Sequence, residues 1–332
     1  MTAEKTMRAW QSGDPGLPNL AIRDVRLPEP GNGEILVRVA AAALNFSDLL
    51  MVDDLYQVRP QRPFTPGQEI AGVVVAAGQD VPFAIGDRVA SKVLHGGFAE
   101  QALVRGDMAL RVPDGMAFSA AVSLPVVYTT AMVALTESTV VRPGETVLVL
   151  AAAGGVGLAA IQIARHFGAR VIAAAGGTDK CALALANGAN HAVDYRAKGW
   201  RDEVAKRVGG NGIDVIVDPV GGEMTAEALR LIGWGGRLLI VGFSSGEIPR
   251  IAANRLLLRR ASAIGVYWNH DRDGPMISRV SDRLAELAAA GAIRPHVGAT
   301  FAFPDLPQAL RAMADRNTTG KALILFDTET TA

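Results

Sequence analysis

Apolar positions along the chain repeat in two different ways, and the change between them falls near Leu124. Before it, short alternating runs recur at 34–40 (EILVRVA), 69–76 (EIAGVVVA), 87–92 (DRVASK) and 98–104 (FAEQALV). Turn clusters such as Pro30-Gly31-Asn32-Gly33 and Ile85-Gly86-Asp87 separate them. Period-two alternation with glycine-rich corners predicts the strands of a small barrel-like β domain. After Leu124, strand alternates with helix as far as Asn269. Thr146–Leu150, 169–175 (ARVIAAA), 213–217 (IDVIV) and 236–242 (GRLLIVG) read as strands of a parallel sheet covered on both faces, because they are rich in β-branched and aliphatic residues. A long apolar helix fills the interval up to Gly168, and a second helix is expected over 179–187. Beyond Trp268 come a Pro-started helix at 275–290, a helix at 305–314 and a strand at 321–326. This tail is expected to fold back onto the N-terminal domain. The chain therefore reads as α/β, with residues 1–124 and 270–332 in one domain and 125–269 in a doubly wound parallel sheet.

Between the first strand of that sheet and its helix lies Ala151-Ala152-Ala153-Gly154-Gly155-Val156-Gly157. Glycines here let the backbone bend sharply, approach a ligand closely and pack the new helix on the strand. The helix N-terminus offers unpaired N–H groups and a positive dipole end, which suit a pyrophosphate. Ala152 stands where the usual G-x-G-x-x-G has its first glycine, but the surrounding strand–helix series marks a dinucleotide-binding unit. An NAD-selecting fold carries a carboxylate at the end of the second strand to bind the ribose 2′-OH. Counting places that position at Ala175, followed by Gly176 and Gly177, so no carboxylate stands there to repel a phosphate.

Composition narrows the partners. Lys plus Arg and Asp plus Glu both number 33, and no basic block stands out, which argues against nucleic acid or an acidic membrane surface. The apolar runs near the N-terminus are short and interrupted by charge, so no signal peptide or membrane span is expected. A single cysteine, Cys181, excludes an internal disulfide framework and fits a reducing cytoplasm.

Several motifs carry a resemblance that covers essentially the whole chain. They are P-x-P-G-x-G-E-I-L-V-x-V at 28–39, N-x-x-D at 45–48, T-P-G-x-E-x-A-G-x-V at 65–74 and G-D-R-V at 86–89. To these add G-G-F-A-E at 96–100, A-A-x-G-G-V-G at 151–157 and D-P-V-G-G at 218–222. Together they resemble the medium-chain dehydrogenase/reductase superfamily, and within it the zinc-free quinone oxidoreductase branch that includes zeta-crystallin. The resemblance implies a GroES-like catalytic domain, a Rossmann domain and a coenzyme in the cleft between them.

Zinc members of that superfamily need a catalytic Cys, a Gly-His-Glu and a later ligand. Here the Gly-His-Glu site reads Gly67-Gln68-Glu69, and the first thiolate position falls near Asn45. The four-cysteine lobe is missing, His95 is a solitary histidine on a loop, and no metal is expected. Glu69, beside the vacant ligand position, is expected to be buried against a cation. Reducing an isolated carbonyl builds a localised alkoxide that zinc would stabilise. Hydride addition to an enone or quinone instead gives a delocalised enolate or phenolate, which side-chain and backbone donors can hold. A zinc-independent reductase of quinones or α,β-unsaturated carbonyls is therefore expected.

The resemblance also distributes roles. Lys180 and Tyr195 match residues that hold the 2′-phosphate of NADPH, and with Ala175 they favour NADPH over NADH. Tyr128, Thr129, Gly242 and Phe243 match positions near the nicotinamide, and Lys321 matches a C-terminal cation that supports the pyrophosphate. Asn45, Asp48 and Tyr56 line the implied cleft in the spacing N-x-x-D-x7-Y of the enoyl thioester reductases, where the tyrosine donates a proton or hydrogen bond. Tyr56 packing on the coenzyme is the other reading, and Asn45 and Asp48 suit hydrogen-bonding scaffold better than acid–base roles. An enoyl or acryloyl thioester substrate is one alternative, with Arg59, Arg62, Arg255, Arg259 and Arg260 available to its phosphates. A non-enzymatic NADPH-binding structural or sensor protein is another. The run 261–268 (ASAIGVYW) resembles an edge strand through which relatives pair, so a homodimer is expected with Tyr267 and Trp268 at the interface or substrate mouth.

Overall fold

The structure, a computed structural model, describes residues 5–327. The chain divides into two compact units. The first comprises the residues up to Val126, Ser281–Ala289 and those from Pro295 on; the second is Val127–Val280 with Ala290–Arg294. The sequence pattern put 270–332 wholly with the first unit, whereas residues 270–280 and 290–294 lie with the second. Specific contacts explain the difference. Arg279 lies 3.9 Å from Glu137, and the Gln162 side chain binds the backbone of Arg294.

In the first unit the strands β1 (Thr6–Ser12) and β2 (Leu20–Arg26) form an antiparallel pair. The larger sheet contains β3 (Glu34–Ala43), β4 (Glu69–Ala77), β5 (Arg88–Lys92), β6 (Gln101–Arg105), β7 (Ala109–Arg111), β14 (Val297–Ala302) and β15 (Lys321–Leu325). Its order is β14-β15-β3-β4-β5-β7, with β6 on β3. A strand was expected from Phe98, but the ladder of β6 starts only at Gln101. Residues 98–100 are drawn to β1 instead: Trp10 N–H donates to Phe98 O at 3.0 Å and Glu100 N–H to Arg8 O at 3.1 Å. Ile35, Val37, Ile70, Phe98, Leu306 and Ile324 pack into one core. Two helices flank the sheet, α1 (Phe46–Val52) straight after β3 and α10 (Leu306–Ala314). The chain is also helical at α2 (Phe118–Ala121), in the first unit, and at α3 (Thr129–Met132), in the second.

The second unit holds a six-stranded, wholly parallel sheet in the order β10-β9-β8-β11-β12-β13. Its strands are β8 (Thr146–Val149), β9 (Arg170–Ala175), β10 (His191–Asp194), β11 (Ile213–Asp218), β12 (Ile232–Ile240) and β13 (Ser262–Gly265). Val147, Leu148 and Val149 are fully buried, as expected for a strand covered on both faces. The helices are α4 (Gly155–His166), α5 (Thr178–Ala186), α6 (Trp200–Val208), α7 (Gly222–Leu229), α8 (Ala253–Arg259) and the first part of α9 (His270–Ala289), whose residues from Ser281 on belong to the first unit. The order runs outward from β8 in one direction and from β11 in the other, a topological switch point of the kind where ligands settle at strand C-terminal ends.

Two boundaries moved for local reasons. β12 begins at Ile232, paired with Ile213, and runs to Ile240, after which the Val241 N–H makes the last bond to β11, at Asp218 O, 2.9 Å away. Helix α9 starts at His270 and accommodates Pro275 inside. Asn269 caps it: Asp271 N–H donates to its Oδ1 at 2.8 Å, and its own N–H donates to Asp273 at 2.9 Å.

Candidate functional site

Four loops of the second unit leave the C-terminal ends of β8, β9, β11 and β12. The first bends at Ala151, whose φ of 46° is left-handed for a non-glycine residue and costs roughly 1 kcal/mol. Ala152 then donates its N–H to Ala174 O at 3.0 Å, so the sharp turn is made one residue before the position of the missing glycine. Gly157 cannot be replaced freely. A Cβ there would stand 2.5 Å from Ala151 O and 2.7 Å from Ala152 Cα, both backbone atoms. The first turn of α4, Gly155-Val156-Gly157 after the N-cap Gly154, thus lies tight on the strand with its N–H groups at the helix end.

At the end of β9, Ala175 is buried and Gly176-Gly177 lead into α5, Gly177 with φ 100°. Tyr195 and Arg196 close over these glycines: a Cβ on Gly176 would meet the Tyr195 hydroxyl at 3.0 Å and Arg196 Nε at 3.1 Å. The Arg196 guanidinium donates to Gly176 O. Lys180 follows on α5, half-buried. Asp194 pairs in register with Ala175, and its carboxylate accepts the Arg196 N–H at 2.9 Å. The Arg196 and Gly177 backbone bonds hold that carboxyl below its ordinary range. Lys180 thus lies in the first turn of α5, and Tyr195 comes directly after β10. Arg196 was missed, because its contact reaches back twenty positions and no periodicity signals it.

The D-P-V-G-G turn is organised by Asp218, which is buried and accepts from Val220 N–H at 2.8 Å, Gly221 N–H at 3.0 Å and the Thr225 hydroxyl. Phe243, after Gly242, lies over Gly221, where a Cβ would meet its ring at 3.0 Å. Gly242 and Phe243 therefore join the same strand ends as the glycine loop.

Other expectations need correction. Tyr128 is 2% exposed and its hydroxyl donates to Gln162 Oε1 at 2.8 Å, so the phenol serves the interior of the second unit. Burial pushes its pKa up. Thr129 is likewise buried, in the first turn of α3. Trp268 is 6% exposed with Nε1 donating to Thr130 Oγ1 at 3.1 Å, a core contact; only Tyr267 projects outward. Arg62 donates to Met51 O and Val52 O at 3.3 and 3.0 Å, and Arg59 lies 3.7 Å from Asp54, so both are engaged locally.

The first unit contributes a buried polar centre. Asn45 and Asp48 form a capping box at α1, with Asn45 N–H donating to Asp48 Oδ2 at 2.7 Å. Both are buried, Asp48 completely, which makes them positioning groups. Burial, opposed by the Asn45 N–H and the Lys321 charge, pushes the Asp48 carboxyl up to about 7. Glu69 is also fully buried; its Oε1 accepts Val126 N–H at 2.8 Å and its Oε2 accepts Asn45 Nδ2 at 3.2 Å. The cation it requires is Lys321, 2.9 Å away. Lys321 also donates to Leu44 O and Asn45 Oδ1, both at 2.8 Å. All three ammonium hydrogens are thereby engaged inside the unit, not directed to a pyrophosphate. Tyr56 follows α1 on a half-buried bend, its carbonyl 3.5 Å from Arg59 Nε.

Two family models match separate stretches of the chain. Residues 31–114 match the family described as alcohol dehydrogenase GroES-like domain, and 155–288 the zinc-binding dehydrogenase family. Quinone oxidoreductase-like protein 2 of Bos taurus is 40% identical over 295 residues, 88% of this chain and 84% of that protein. The chain belongs to the quinone oxidoreductase branch of the medium-chain dehydrogenase/reductase superfamily. Two solved members of that superfamily were determined with NADPH. A mycobacterial protein is 30% identical with a TM-score of 0.89, the alignment covering 96% of this chain and 99% of that one. The quinone oxidoreductase of Escherichia coli is 26% identical with a TM-score of 0.88 at the same coverage.

The zinc implied by one family description does not fit the residues present. Among the described residues no three His, Cys, Asp or Glu side chains converge as a metal site. Gln68 Oε1 is taken by the Ser47 hydroxyl, Asn45 offers an amide, and Glu69 is paired with an ammonium. A dinucleotide does fit, on the strand ends of the Rossmann unit.

Proposed function

We propose that the protein is an NADPH-dependent, zinc-independent reductase of quinones or α,β-unsaturated carbonyls. The observation that carries the coenzyme preference is the Gly176-Gly177 turn under Tyr195 and Arg196, with Lys180 on the next helix. Two cationic side chains and a phenol suit a 2′-phosphate, and Ala175 leaves the NAD-selecting acid position empty. NADPH, when bound, supplies the hydride. The Gly154–Gly157 bend and the start of α4 would hold its pyrophosphate, and Phe243 would bound the nicotinamide.

An activated acceptor follows from the donor set of the polar centre, which offers nothing to act as a Lewis acid on an isolated alkoxide. With a quinone, hydride plus one proton gives the hydroquinone. With an enone, hydride goes to the β-carbon and a proton to the α-carbon. Tyr56 is the phenol we assign to hydrogen-bond the substrate oxygen. The engagement of Arg59 and Arg62 near α1 weighs against a CoA-phosphate patch there, which places acyl thioesters second.

A homodimer is part of this reading. β13 is an edge strand, and Leu257, Leu258 and Tyr267 beside it are 79%, 72% and 80% exposed. The balanced charge supports neither nucleic acid nor membrane as partner, and the lone cysteine suits the cytoplasm.

A panel of quinones, enones and acyl thioesters with NADPH and NADH tests the proposal. We expect NADPH oxidation with quinones or enones and no loss on chelation. No turnover with any acceptor, or activity that requires about one zinc per chain, would overturn it.

A further inference from the structure

The polar centre of the first unit contains a cation of its own. Lys321 opens β15 with its side chain 5% exposed, against a Glu69 side chain at 0%. A lone carboxylate at that depth is strongly disfavoured, and so is a lone ammonium. The ammonium resolves both demands, with Glu69 Oε2 at 2.9 Å and Leu44 O and Asn45 Oδ1 at 2.8 Å. These are hydrogen-bond lengths for a three-donor head with three acceptors. A zinc ion would need donors near 2.0–2.3 Å, with nitrogen or sulfur preferred. Close by, Asp48 Oδ1 is buried without a partner.

We propose that the Lys321 ammonium is the resident cation of this centre, occupying the role a metal would have beside Glu69, and that removing it converts the centre into an oxygen-lined site for a small cation. The donors left behind are Glu69, the Asn45 amide oxygen, Leu44 O and Asp48. That set is hard and anionic, so it suits an alkylammonium or Mn²⁺ better than zinc. Lys92 stands across the ladder from Glu69 and is the other cation that feels it. Lys321 is in direct contact with Glu69 at 2.9 Å, whereas burial pulls the Lys92 ammonium below its ordinary pKa.

The test uses the full chain without coenzyme, and its readouts are stability and cation binding, so it stands or falls apart from the substrate assignment. Lys321→Ala removes three methylenes and the ammonium, which n-propylammonium matches. We expect the unfolding midpoint of Lys321→Ala to fall by roughly 5–10 °C. n-Propylammonium should restore at least half of that loss saturably, whereas n-propanol at equal concentration should not. Lys321→Met should not be rescued, because its stem fills the space. Electron paramagnetic titration should find about one Mn²⁺ per Lys321→Ala chain and none on the wild type.

A folded Lys321→Ala protein indifferent to both cations would overturn the proposal, as would Mn²⁺ held at this centre by the wild type. If Lys321→Ala does not fold, Glu69→Gln/Lys321→Met against Lys321→Met alone decides the matter. The double variant should be more stable, since it no longer buries an uncompensated carboxylate. Equal or lower stability would show that Lys321 is not the counter-charge.

Discussion

The side-chain amide of Gln162 closes on the backbone of Arg294 from both sides, accepting its N–H at 2.8 Å and donating to its carbonyl at 3.0 Å. The same amide accepts the Tyr128 hydroxyl and donates to Asn187, each at 2.8 Å. One residue of α4 thus ties the 290–294 segment to the sheet unit. Gln162→Leu keeps the volume and strands all three partners, so it should destabilise the protein by about 2–4 kcal/mol. Urea unfolding without coenzyme measures this, and a change under about 0.5 kcal/mol would mean the clamp adds nothing.

Coenzyme choice should follow the cations at the end of β9. Lys180→Ala and Arg196→Ala should each weaken NADPH binding by about tenfold to a hundredfold, the worth of one charge-assisted contact. NADH binding should change far less. Fluorescence titration of both coenzymes reads the ratio. Equal losses for the two would remove the 2′-phosphate from these side chains.

Tyr56→Phe should slow enone reduction toward the low end of the ~10²–10⁴-fold range for a positioned acid, because solvent can supply part of the proton. Quinone reduction should suffer less, since the aromatic product anion is already stabilised. Single-turnover hydride transfer on both acceptors separates these effects. Unchanged enone rates with weaker NADPH binding would make Tyr56 a packing residue.

The β8–β9–β11 series was legible because strands buried on both faces read as unbroken apolar runs. Helix α1 was not. It has seven residues, and its start is secured by the Asn45–Asp48 capping box rather than by an apolar stripe. β14 was equally faint, since its positions alternate between half-buried and exposed and none is fully buried. At the site, the glycine loop, Lys180 and Tyr195 could be counted along the chain. The partners of Lys321, at positions 44, 45 and 69, could not, because only the sheet brings β15 beside β3.

Asp48 should make stability pH-dependent. Its folded pKa is raised to about 7 from 3.8, first by burial. The folded state therefore holds the proton longer than the unfolded chain. Its contribution is complete below about pH 4 and is lost as pH rises through about 7. Asp48→Asn keeps an acceptor for the Asn45 N–H and removes the titration. The variant should gain on the wild type between pH 4 and 7 and hold that gain above it. Parallel stability curves across this range would assign the dependence elsewhere.

The place of β15 between β14 and β3 has a consequence for synthesis. Glu69 leaves the ribosome 252 residues before Lys321 (321 minus 69), which is on the order of tens of seconds of translation. Throughout that delay the carboxylate lacks its Lys321 partner and the Ala41–Ala43 end of β3 lacks its β15 neighbour. The parallel sheet, contained in residues 146–265, has no such wait. The half of the protein translated first is thus expected to be the last to mature. Protease protection on ribosome-arrested chains should appear over β8–β13 before β3 and β4, and the reverse order would refute this sequence of events.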